Sequence, residues 1–162
     1  MMWFMNRLIN PLVSLILTSP LHGLLSGSVL ILIYRGRKSG KEYQLPVQYA
    51  QEGTLVYILP GAPEQKTWWR NMRDGQPVRL IVRGHTLAGQ AELLQGEQDV
   101  KAITHALGTI FRRFPAAAGM AKIHAASGGT YAVEDLLQAA RSTTVVRVKL
   151  DQDSHPATSE HP

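Results

Sequence analysis

Ser28-Val29-Leu30-Ile31-Leu32-Ile33-Tyr34, then Arg35, then Gly36-Arg37-Lys38-Ser39-Gly40, is the stretch whose reading decides the fold. A short run of β-branched and aliphatic residues ended by a glycine reads as a buried strand over about 28–35. Similar runs follow at about 42–50 and 54–60, with Glu52-Gly53 as the hairpin turn between them. Two more are expected at 77–83 and 86–94, hinged at Gly84-His85, with Val78, Leu80 and Val82 alternating against Arg79, Ile81 and Arg83. Connections this short exclude a doubly wound parallel sheet, which needs long crossovers. The expected class is α+β, mainly antiparallel β, with the sheet curled into a small barrel and helices at both ends.

The helices come from a change of period. Val100, Ile103, Leu107, Ile110 and Phe114 keep helical spacing from Glu97 up to Pro115. Met120–Ala126 and Val133–Arg141 are expected to be helical too, separated by Gly128-Gly129, and Thr143–Leu150 is a last β-rich run. Upstream, a helix is expected over about 4–17 and a short one near Leu21–Leu25, with Ser19-Pro20 as N-cap and first helical residue. The whole is read as one domain over 1–150 with a disordered tail at 151–162, since 162 residues suit a single well-cored unit. Thr67–Asp74 reads as a short helical turn closed by Gly75.

Between Arg7 and Arg35 the only side chain that can carry charge near neutral pH is His22, yet Pro11, Pro20 and several serines interrupt the stretch. It holds no window of about 20 apolar residues such as a spanning helix needs. An amphipathic N-terminal helix that packs on the domain or touches a bilayer surface is the expectation, with a signal peptide the weaker reading. The chain has no cysteine, which excludes disulfides, thiolate nucleophiles and Cys-ligated zinc, and a cytoplasmic location is expected.

Charge is localised. Segment 35–83 holds nine of the 17 Lys and Arg but four of the 12 Asp and Glu, so the whole net charge of +5 lies there. A basic patch of this kind suits an anionic partner, although basic surfaces also serve solubility alone. Gly36-Arg37-Lys38-Ser39-Gly40 is its sharpest feature: two cations and a hydroxyl between glycines at the end of a strand. Backbone amides, cations and a hydroxyl at one sheet edge suit phosphate, against the plainer alternative of a solvated basic turn. The histidines form no metal-ligand pattern, and no Gly-x-Ser-x-Gly, Walker or Gly-x-Gly-x-x-Gly motif is present. Nucleic acid is not expected as a partner, because Tyr34, Tyr43 and Tyr49 satisfy only loosely the aromatic interleaving such a surface needs.

Gly36-Arg37-Lys38-Ser39-Gly40-Lys41, then Leu45-Pro46-Val47, then Trp68-Trp69-Arg70-Asn71, preceded by Ser19-Pro20-Leu21-His22-Gly23, resembles the deazaflavin-dependent nitroreductase family over about residues 8–94. The resemblance implies a split β-barrel related to flavin-binding oxidases. It also implies an oxidoreductase that takes hydride from the reduced deazaflavin coenzyme F-420 and passes it to quinones, nitroaromatics or activated alkenes. On that resemblance Gly36, Arg37, Lys38, Ser39 and Gly40 would hold the coenzyme's phosphate. Pro46, Val47 and Tyr49 would line its ring system, and Trp68 and Asn71 would sit across the pocket mouth. Tyr43 stands where some members carry an arginine. No proton donor transfers, so the catalytic residues stay unassigned.

Taken without the resemblance, each tryptophan reads more readily as core than as cofactor contact. Adjacent on a helical turn, Trp68 and Trp69 point about 100° apart, so one is expected in the core and the other at a rim. Asn71 reads equally as a cap or a bond to a loop carbonyl. Tyr131 reads as an anchor for the last helix before it reads as a hydrogen-bond donor to substrate. Two other functions fit the same residues: a non-catalytic flavin, deazaflavin or lipid carrier, and a reductase using riboflavin phosphate (FMN). The expected partner is a small apolar electron acceptor, with the protein a monomer or homodimer.

Overall fold

A computed structural model describes residues 27–61, 63 and 65–152. The helices expected over 4–17 and 21–25, and the tail from 153 onward, lie outside the described residues. Among the described residues seven antiparallel strands form one sheet: β1 Val29–Arg35, β2 Glu42–Gln48, β3 Ala50–Glu52, β4 Leu55–Ile58, β5 Gln76–Val82, β6 His85–Leu94 and β7 Val145–Leu150. Their spatial order is β2-β1-β5-β6-β7-β4-β3.

This order explains the curl. The expected strand over 42–50 is two strands, interrupted at Tyr49, and the halves pair on opposite edges of the sheet: β2 on β1, β3 on β4. Because one residue joins them, the two edges must come together, and the sheet bends into a half-barrel. Pro46 lies within β2 and cannot donate to a ladder, which confines its strand to an edge.

Strand alternation sorts the core. Leu30, Leu32 and Tyr34 of β1, Val78, Leu80 and Val82 of β5, and Val146, Val148 and Leu150 of β7 fill the concave side with Trp69 and Met72. Ile31 and Ile33 leave by the opposite face and are buried there with Val29 and Ile81 beside them. Burial on both faces is why this strand is an unbroken apolar run.

On the convex side lie α1 Val100–Arg113, α2 Pro115–Met120 and α3 Val133–Ala140. Ile103, Ala106, Leu107, Ile110 and Phe111 repeat at helical spacing and pack with Tyr57, Leu136 and Ala140. Tyr131 anchors here, as its placement before the last helix suggested: its hydroxyl donates to the Phe111 carbonyl at 3.1 Å and its ring meets the Phe111 ring edge-on.

Two boundaries differ from expectation. The helix expected at 120–126 runs instead over Pro115–Met120, because Pro115 opens a helix as its first residue rather than only closing the one before. It stops where Lys122 takes a left-handed φ of 58° and the Ile123 amide returns to the Ala118 carbonyl. The β5–β6 turn is Arg83-Gly84 rather than Gly84-His85, with φ of 50° and 79°, the left-handed pair that a two-residue hairpin requires.

Candidate functional site

The turn between β1 and β2 is built to hold one shape. The Gly36 amide donates to the Lys41 carbonyl and the Gly40 amide to the Gly36 carbonyl, each at 2.8 Å, while Gly40 supplies a left-handed φ of 66°. A Cβ on Gly36 would sit 2.6 Å from Ser39 Oγ and 2.7 Å from the Tyr43 ring, so no other residue fits there without a shift. Ser39 Oγ accepts the Lys41 amide at 3.2 Å and lies 3.1 Å from the Tyr43 hydroxyl.

The 3₁₀ turn Trp68–Met72 supports this loop from the side. The Arg37 amide donates to Asn71 Oδ1 at 2.9 Å, and Asn71 Nδ2 donates to the Trp68 carbonyl at 2.8 Å. Asn71 thus bonds loop and turn at once, the local role that its residue type suggested. The Arg37 guanidinium pairs with Asp74 at 2.5 Å. The two tryptophans divide as their 100° separation requires. Trp69 is buried, with its indole N–H on the Pro63 carbonyl, whereas Trp68 is half-buried with its ring 6.4 Å from Tyr34.

Beneath the loop, Tyr34 stacks on Tyr43 with ring centroids 5.6 Å apart and planes 22° from parallel. Burial, and secondarily the neighbouring Tyr43, pushes the Tyr34 phenol up to about 12, so it stays neutral across the physiological range. Sequence reasoning does not single out Asp74 or Tyr34 as parts of this site, and it marks Tyr43 only as standing where some family members carry an arginine. The only available signal for Asp74 is its place at the end of a helical turn, just before Gly75.

The expected site residues fall into two groups. Gly36, Arg37, Ser39, Trp68 and Asn71 come together through the contacts above, with Lys38 and Gly40 exposed on the same loop. Pro46 and Val47 are consecutive on β2, so their side chains leave by opposite faces. Val47 packs on the concave core, whereas Pro46 pairs with Ile31 on the other side. Tyr49 is buried in the concave core at the β2–β3 joint.

The electrostatics favour an anion. Among the described residues, no carboxylate lies within ion-pairing distance of Lys38 or Lys41, and the amides of Lys38 and Ser39 have no intramolecular acceptor. An exposed nest of amides beside unpaired ammonium groups suits phosphate. A separate cleft of about 280 Å³, lined by Tyr49, Gln51, Arg83, Thr109 and Arg113, lies at the other end of β1. At about 3.3 Å per residue that is roughly 20 Å along the strand from the loop. Among the described residues there is no cluster able to hold a metal ion.

The model of a known family, described as F420H(2)-dependent quinone reductase, matches residues 18–109, more than half of the chain. The chain belongs to the F420H(2)-dependent quinone reductase family. The matched region includes the basic loop, the Trp68–Met72 turn and the first ten residues of α1, so it ends further into the chain than the motifs that carry the resemblance.

Two solved structures share the half-barrel of this F420H(2)-dependent quinone reductase family member. One, described as an F420-H2 dependent reductase, is 18% identical with a TM-score of 0.52, covering 75% of this chain and 94% of its own. The other, described as a domain-swapped dimer, is 16% identical with a TM-score of 0.56, covering 89% of this chain and 98% of its own. No curated protein matches the chain. Family membership points to F420 as the cofactor. The loop's donor set fits that group, because a phosphorylated coenzyme with an anionic tail calls for the amides, ammonium groups and hydroxyl present here.

Proposed function

We propose that this protein is an oxidoreductase that passes a hydride from reduced F420 to a quinone, a nitroaromatic or an activated alkene. The observation that carries this reading is the Gly36–Gly40 loop. It is held in one shape by Asn71 and presents lysines and amides that have no partner among the described residues, in a chain whose family takes F420 as its reductant.

When bound, the deazaflavin itself supplies the hydride, so the protein's part is to position it, exclude water and present the acceptor. Lys38 and Lys41 supply positive charge to the phosphate, and the Lys38 and Ser39 amides supply directed donors. Arg37 is half-exposed, and its Asp74 partner is more exposed still, so exchanging that carboxylate for a phosphate costs little. Arg70 and Arg73, on and after the adjacent turn, suit the anionic oligoglutamate tail. Leu45 and Val47 give β2 an apolar inner side on which a flat ring can rest, and Trp68 closes that side off from solvent. Asn71 acts on the loop rather than on the ligand. Pro46 and Tyr49 belong to the same strand and its end, shaping that wall through the backbone.

The test is a fluorescence titration of the purified protein with oxidised F420, with riboflavin phosphate run in parallel. It is followed by steady-state oxidation of reduced F420 with a quinone and nitroaromatic panel. Saturable F420 binding with turnover supports the proposal. Preference for riboflavin phosphate would change the cofactor, and tight F420 binding without turnover on any acceptor would point to a carrier. Binding of neither would end the reading. The fold relative described as a domain-swapped dimer supports a homodimer here, which light scattering would test.

A further inference from the structure

Tyr43 is joined to the anion-binding loop by contacts that a merely structural ring would not make. It sits directly opposite Tyr34 in the β1–β2 register and stacks on it, which fixes the plane of its ring. That plane brings the ring against Gly36, where a Cβ would stand only 2.7 Å from Tyr43 Cε2, and sets the hydroxyl 3.1 Å from Ser39 Oγ. Tyr43 nevertheless keeps 43% of its surface exposed, so it is a lid on the loop's first residue rather than core.

The proton arrangement follows from the donors available. A serine hydroxyl has one proton and two lone pairs. The Lys41 amide occupies one lone pair of Ser39 Oγ at 3.2 Å. If Ser39 gave its proton to Tyr43, nothing would remain for a ligand. A phenol is the stronger acid of the two hydroxyls, hence the better donor and the poorer acceptor, which favours the opposite direction. With the phenol donating, both lone pairs of Ser39 are taken by intramolecular donors and its proton is directed away from the protein. An anion resting on the loop, beside Lys38 and Lys41, reinforces that choice by accepting the proton.

We propose that Tyr43 is a positioning residue that donates to Ser39 Oγ and so commits the Ser39 hydroxyl to donate to the phosphate of the bound coenzyme. This rests on the reading that the loop holds that phosphate. The same phosphate chemistry would be recognised in F420, in riboflavin phosphate and in free inorganic phosphate, and the arms of the test separate these.

The experiment is a double-mutant cycle on coenzyme affinity, read by fluorescence titration with oxidised F420 for the unaltered protein, Y43F, S39A and Y43F/S39A, with K38A as a reference. The phenylalanine of Y43F keeps the stack on Tyr34 and removes only the hydroxyl. With Ser39 in place, Y43F is expected to weaken binding about fivefold, the scale of one directed hydrogen bond. In the S39A background the same change should have no effect. Displacement of F420 by inorganic phosphate should weaken in Y43F by the same factor, since the lost contact lies at the anion and not at the ring. Thermal midpoints of Y43F and the unaltered protein should agree to within about 1 °C.

Y43F binding as tightly as the unaltered protein would overturn the proposal, as would equal weakening in both backgrounds. If K38A and S39A weaken binding while Y43F does not, the phosphate loop stands and only Tyr43's role falls. If none of the variants weakens binding, the phosphate-loop reading itself fails, and this inference with it. Weakening of riboflavin phosphate but not of F420 by Y43F would also overturn the assignment to F420.

Discussion

The loop at Gly36–Gly40 and the hairpin tip at Glu52 are both tied to a neighbouring helical turn, but they settle their charges differently. At the hairpin tip, Glu52 accepts from His105 at 2.5 Å and from Thr109 at 3.3 Å, while Arg112 reaches Thr109. The His105 hydrogen bond above all holds the Glu52 carboxyl below the usual carboxylate range. The Glu52 carboxylate is met there by donors from α1. At the loop the neutral amide of Asn71 makes the tie together with the Arg37–Asp74 pair, and among the described residues Lys38 and Lys41 have no carboxylate within ion-pairing distance. Charge balanced inside the molecule holds two elements together, whereas charge left over at a well-braced position is available to something else.

The comparison can be broken most forcefully on the helix side. Phe111→Ala removes a fully buried ring and should lower stability by about 3–5 kcal/mol. Binding of F420 by the fraction that remains folded should be unchanged, as checked by urea denaturation beside a titration. On the loop side, Lys38→Ala should do the reverse. It should weaken F420 binding about tenfold, the scale of a charge-assisted bond, with no shift in the melting midpoint. Should Lys38→Ala melt early and bind normally, the loop would be structural and the contrast false.

Asn71→Ala sharpens the boundary between the two behaviours. Its amide makes two bonds, one of them to the loop, so stability and affinity should both fall by about 1 kcal/mol. The smallest effect belongs to Glu52→Gln. Glu52's folded pKa is depressed, so its contribution is present above the ordinary carboxylate range and is lost as pH falls through the folded value. The variant should melt slightly below the unaltered protein at pH 7, and the gap should close as pH drops below about 4, seen in melts across a pH series.

These contrasts were only partly legible in the residues. Val29–Arg35 announced itself as a strand because burial on both faces leaves no polar position to confuse the period. The division of Trp68 from Trp69 followed from helix geometry alone. The bond from Arg37 to Asn71 did not, because it joins positions 34 apart that only the folded sheet brings together. The break at Tyr49 was hidden for a related reason. Residues 42–50 read as one continuous strand, and what divides them is the need to serve two sheet edges, a property of the closed structure. The helix at Pro115–Met120 was missed on a choice of sign, since proline closes one helix and opens the next.

The position of β7 between β6 and β4 bears on how the chain is made. Its partners Leu55–Ile58 are synthesised about 90 residues before it, and among the described residues the short β3–β4 hairpin pairs with no other strand. An isolated two-stranded hairpin is marginal in water. On the ribosome, therefore, β1, β2, β5 and β6 can assemble early, while 50–58 wait with an open edge until residues 145–150 emerge. That interval, rather than any weakness of the finished barrel, is when the nascent protein is most exposed to aggregation.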